Sequence, residues 1–86
     1  MKWEEARKIY VNKWILFEST DVHSEDGKRI VDELSVINVF DEGKEALREY
    51  AQKHKKDKNR EMYVYHTKNE KLFIEERTWI GVRKNG

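Results

Sequence analysis

His66 is the residue best placed to move a proton. It follows Tyr65 directly, and the carboxylates Glu75 and Glu76 lie a few positions further on. If residues 62–67 and 71–83 are the two arms of a hairpin turning over Lys68, Asn69 and Glu70, one of those carboxylates comes within reach of the imidazole. Such a pair could act as general acid and base. The chain supplies little else for catalysis. Glu75 and Glu76 are neighbours on a strand, so their side chains leave opposite faces of a sheet and cannot form a paired-carboxylate site. His23 and His54 are too scattered to join His66 in a metal-ligand spacing. Cysteine is absent, and neither GxxxxGK[ST] nor GxGxxG occurs. His66 then reads as a half-buried strand histidine with a hydrogen-bond partner; the chain reads as no enzyme, with no metal site and no cofactor.

Two further groups suit binding. Lys53, Lys55, Lys56, Lys58 and Arg60 form a basic run whose single acid is Asp57. Such a run can meet phosphates, and Tyr63 and Tyr65 follow closely enough to stack on unpaired bases. It is equally the solvated end of a helix in a highly charged protein. The second group is aromatic. Successive side chains of a strand alternate faces, so Tyr63, Tyr65 and Thr67 oppose Met62, Val64 and His66. In the next strand Phe73, Glu75, Arg77 and Trp79 oppose Leu72, Ile74, Ile80 and Val82. With a helix on the aliphatic face, Tyr63, Tyr65, Phe73 and Trp79 collect on the other. Open, that face would bind a protein partner or a second copy. Covered by an N-terminal helix carrying Trp3 and Tyr10, it would be core.

Periodicity predicts the elements that hold these groups. Trp3, Ala6 and Tyr10 recur at helical steps, with Glu4 and Glu5 at the start where a helix favours negative charge, giving a short helix over 2–10. The unbroken apolar run from Trp14 through Phe17 opens a strand over 14–22 covered on both faces. Asp26-Gly27 is a favoured hairpin turn. The strand after it, over 29–40, is long enough to invite a bulge or bend near 32–35. Asp41 suits an N-cap, and Ala46, Leu47, Tyr50, Ala51 and His54 trace one face of a helix over 42–55 that ends in cations. Strands over 62–67 and 71–83 complete the order α-β-β-α-β-β. The class is α+β, a four-stranded, mostly antiparallel sheet packed by helices.

At 86 residues the chain makes one domain, 1–86, burying roughly two thirds of its unfolded surface. That leaves room for a binding surface sooner than for elaborate chemistry. Charged residues are 41% and apolar residues 37%, with three Trp, four Tyr and three Phe, too much aromatic mass for a disordered chain. The net charge of +1 denies it the strong field of a dedicated nucleic-acid binder. Charge is nonetheless polarised: Glu18, Asp21, Glu25, Asp26, Asp32 and Glu33 face only Lys28 and Arg29 within 18–33. No stretch approaches the roughly 20 apolar residues of a membrane span, and residues 1–10 are charged where a signal peptide needs an apolar core. The expected compartment is the cytoplasm.

The segments YVNKWILFE, INVFDEGKEALREY, YVYHT and IEERTWIGVR make the chain similar to small bacterial proteins of the Firmicute type whose function is unknown. The similarity rests on fold-forming residues; it implies a cytosolic bacterial or phage origin and assigns neither activity nor functional residues. The sequence therefore points to a small non-enzymatic protein-interaction module, self-associating as a homodimer through the aromatic face formed by Tyr63, Tyr65, Phe73 and Trp79. The alternative is a weak single-stranded nucleic-acid binder using the 53–60 run.

Overall fold

The turn joining the first two strands sets the frame. Asp26 and Gly27 both have positive φ, 52° and 76°, the two left-handed residues that a two-residue type I′ turn demands. From it run β1, Trp14–Glu25, and β2, Lys28–Phe40, antiparallel from Glu25↔Lys28 to Trp14↔Phe40. The computed structural model describes residues 1–75. Its long hairpin is interrupted where Ile37 and Asp32 on β2 and Thr20 on β1 have no opposite residue. The sequence called for one bend near 32–35; three bulges occur, one of them at Asp32. Each adds local twist, and the ribbon bends until Arg29 near its tip reaches Glu61, which stands opposite Ser19 midway along β1, with Nη2 to Oε1 at 2.7 Å and Nε to Oε2 at 3.1 Å.

The remaining elements are α1, Trp3–Ile9; α2, Gly43–Lys56; β3, Met62–His66; and β4, Ile74–Glu75. The class is α+β. Three long strands, β3, β1 and β2, form the antiparallel body of the sheet, and the two residues of β4 pair with Lys28 and Arg29, giving the order β3-β1-β2-β4. This differs from the sequence reading. Residues 62–66 and 74–75, expected in the two arms of a second hairpin, lie on opposite edges of the sheet, because the bent tip of the first hairpin offers residues 74 and 75 a pairing edge. Of the strand expected over 71–83, only 74 and 75 are strand among the described residues, and 76–83 lie outside them.

The sheet is the middle layer. Ile15, Phe17 and Leu34 pack under Trp3 and Ala6 of α1, joined by Tyr10, Val31, Val36, Tyr63, Tyr65 and Leu72. Leu16, of opposite parity, is buried on the other face, as are Met62 and Ala46 of α2. This explains the unbroken run Trp14 to Phe17: β1 is the central strand with a helix over each face. Phe17, Ile15, Leu16 and Leu34 are the largest fully buried side chains, worth about 1.5–3 kcal/mol each in transfer free energy.

Local signals fix the ends. Glu5 reaches back so that its Oε1 accepts the Lys2 N–H at 2.9 Å, the return half of a capping box. Asp41 does not cap α2, which starts at Gly43 without a side-chain cap; its carboxylate is held by Lys13 instead. Thr67, 3% exposed, ties the connection between α1 and β1 to the end of β3. Its Oγ1 donates to Tyr10 O at 2.7 Å and accepts from Lys13 N at 3.0 Å. Arg7 Nε donates to its carbonyl at 2.8 Å. No helix among the described residues is long and apolar enough to cross a membrane.

Candidate functional site

Tyr63 and Tyr65 lie beneath α1. Trp3 stands 5.7 Å from Tyr65 in a T-shaped contact and 5.9 Å from Phe17, which is 5.8 Å from Tyr63. The Trp3 indole N–H is satisfied by Asn69 O at 2.9 Å. Tyr63 donates its hydroxyl proton to Glu61 at 2.5 Å, and burial, assisted by that carboxylate, pushes its phenol up to about 12. Arg29 holds Glu61 below the usual carboxylate range against the opposing effect of burial. Of the two possibilities the sequence left for these tyrosines, the covered one obtains. Phe73 is different: it is 61% exposed, with Lys28 Nζ 4.7 Å from its ring centroid, and its main-chain N–H meets the Tyr65 hydroxyl at 3.1 Å. Trp79 lies outside the described residues.

His66 has other partners among the described residues. Its Nδ1 accepts from Lys68 N at 3.0 Å, and its ring stands edge-on to Trp14 at 5.1 Å. Glu75 belongs to β4, and in the order of the sheet β1 and β2 stand between it and β3. Glu76 lies outside the described residues. No group of three or more His, Cys, Asp or Glu among the described residues could hold a metal ion.

The basic run is divided. Arg60 Nη2 binds Glu18 Oε1 at 2.7 Å, and Lys53 sits 4.0 Å from Glu49. Lys55, Lys56 and Lys58 are exposed. The run ends α2 on one face of the sheet while Tyr63 and Tyr65 turn to the other, so phosphate contacts and stacking platforms do not share a surface.

A feature the residue-type reading missed is the outer edge of β3, which pairs with no strand among the described residues. Ser19 N donates to Glu61 O and Thr67 N to Lys13 O, both at 2.9 Å. These bonds set the ladder: alternate residues 61, 63, 65 and 67 turn their main-chain groups to β1, and Met62, Val64 and His66 turn theirs outward. The His66 carbonyl is taken by the Asn69 side chain at 2.9 Å. Among the described residues nothing bonds the outward N–H and C=O of Met62 and Val64; Met62 is 4% exposed, so Val64 is the open position of the edge. The edge is short, five residues, but it has no Lys, no Pro and no bulge against β1. Above it α2 presents Leu47, 57% exposed. Leu47 and Tyr50 line, with Met62, Tyr63 and Val64, a cavity of about 170 Å³. The alternation of Met62 to His66 could have located this edge only if the neighbours of β3 were known.

No protein-family model, curated protein or solved structure matches this chain. The functional reading rests on its own geometry.

Proposed function

We propose that this chain is a small non-enzymatic protein-interaction module that takes up an extended segment of its partner along the outer edge of β3. One observation carries the reading: a regular edge of five residues whose outward main-chain groups at Val64 have no partner among the described residues, beside an exposed leucine and an apolar cavity. Strand addition draws affinity from those main-chain bonds and selectivity from pockets for alternate side chains. Self-association through an aromatic face has less support, since Tyr63 and Tyr65 pack under α1. A reducing, cytoplasmic setting is part of the same proposal, suited to a chain built without cysteine.

The test is selection of displayed random peptides on the immobilised chain, followed by amide NMR with the selected peptides. Binding is expected to slow exchange of the Val64 amide and to be lost in Val64→Pro, which removes an outward N–H while sparing the ladder to β1. Leu47→Lys, at an exposed position, serves as a second variant. Selected peptides that perturb only the α1 side, or that bind both variants unchanged, would overturn the proposal.

A further inference from the structure

Accepting the edge reading, the charges around β3 select among possible occupants. At 3.6 residues per turn, Lys44, Arg48 and Lys55 lie within about 100° of Leu47 around α2, whereas Glu45 and Glu49 lie about 160° away. The direction of that far side is marked by Glu49, which accepts from Asn38 of β2 at 3.2 Å. Lys44, Arg48 and Lys55 are exposed. Lys44 has only a distant contact with Glu42, at 3.9 Å, and Arg48 and Lys55 meet no carboxylate within salt-bridge distance among the described residues. The solvent side of the Leu47 flank is therefore cationic, with an apolar floor.

We infer that the occupant of the β3 edge is an acidic extended segment of another protein, with an apolar side chain seated in the cavity formed by Leu47, Tyr50, Met62 and Val64 and carboxylates directed to Lys44, Arg48 and Lys55. Alternate residues of an added strand point to the same face about 7 Å apart. An apolar residue with acids two positions to either side therefore presents the right pattern to α2. A second copy fits less well. Antiparallel pairing of two β3 strands about Val64 would set the cationic flank of one α2 against the same flank of the other, and like charges so placed repel. Single-stranded nucleic acid would satisfy the cations but leave the Val64 main chain unpaired and find Tyr63 and Tyr65 facing away.

The experiment uses two blocked nine-residue peptides of threonine with a central valine. One carries glutamate two positions to either side of the valine, and its twin carries lysine there. Each is titrated into the isotopically labelled full chain. The glutamate peptide is expected to shift the Met62, Val64 and Leu47 resonances, to bind at least tenfold more tightly than its twin, and to weaken as salt is raised. Arg48→Glu and Lys55→Glu, both at exposed positions, should abolish that preference while circular dichroism shows the fold intact. Equal binding of both peptides at β3 would overturn the acidic partner and leave the edge reading standing. Failure of both peptides to perturb β3 would count against both. Dimerisation of the chain alone with protection of the Val64 amide would assign the edge to a second copy. Tighter binding of oligothymidylate at the Lys44, Arg48 and Lys55 flank would assign it to nucleic acid. Either result overturns the inference.

Discussion

His23 is held between two carboxylates, with Nδ1 2.6 Å from Asp32 and Nε2 3.2 Å from Glu25. Asp32 is the extra residue of a bulge. Taken out of the ladder, it is free to aim at a histidine on the neighbouring strand. These bonds, Asp32 first and Glu25 second, raise the His23 pKa from its ordinary 6.5. With the folded value above the unfolded one, the contribution is complete below about pH 6.5 and is lost as pH rises through the folded value. The ring is half exposed, so its effect on overall stability is small and belongs to NMR. The His23 imidazole should titrate with a midpoint above 6.5, and Asp32→Asn should lower that midpoint more than Glu25→Gln. A midpoint insensitive to Asp32→Asn would discard this account. The sequence placed His23 only as too scattered for a metal site, since the partner depends on where two strands lose and regain register.

At the scale of the element, α2 is seated by a glycine. A Cβ on Gly43 would stand 3.0 Å from Cε2 and 3.1 Å from Cζ2 of Trp14, so the first turn of the helix lies directly on that ring. Gly43→Ala brings two effects of opposite sign. Alanine favours a helix over glycine by up to about 1 kcal/mol, whereas overpacking a filled contact costs about 1–3 kcal/mol. Overpacking should win, leaving a net loss of about 1 kcal/mol in urea unfolding, with a change in tryptophan emission as Trp14 is displaced. A stabilised variant with unchanged emission would mean that the contact yields freely. Helical periodicity located α2 over 42–55 within a residue of its observed span, yet it placed Asp41 as the cap. Lys13, distant in sequence, takes that carboxylate.

For the whole molecule, the decisive residue is Trp3. α1 has only seven residues, too short to persist alone in water. It stays in place because Trp3 joins Phe17, Tyr65 and the Asn69 carbonyl in one contact. Trp3→Ala should cost about 3–5 kcal/mol, a large part of the total stability of a domain this size. Thermal melting should fall steeply, with dye-binding apolar surface appearing as Tyr63 and Tyr65 are uncovered. A melt close to wild type would mean that the aromatic face tolerates exposure, and would return Tyr63 and Tyr65 to the binding surface.

What the sequence determined by itself was everything that depends on neighbours along the chain. The α+β class, both helices, the Asp26-Gly27 turn and the two-sided burial of Trp14 to Phe17 follow from side-chain period and turn chemistry, which act over two to four residues. The sequence also separated Tyr63 and Tyr65 from Met62, Val64 and His66, because alternation needs no tertiary knowledge. Only the tertiary structure decided which of those faces α1 covers, that residues 74 and 75 pair with the bent hairpin tip instead of β3, and that the outer edge of β3 has no strand beside it among the described residues. Those outcomes depend on bulge positions and on the closure of contacts between residues dozens of positions apart, where a one-residue change of register redirects every side chain beyond it.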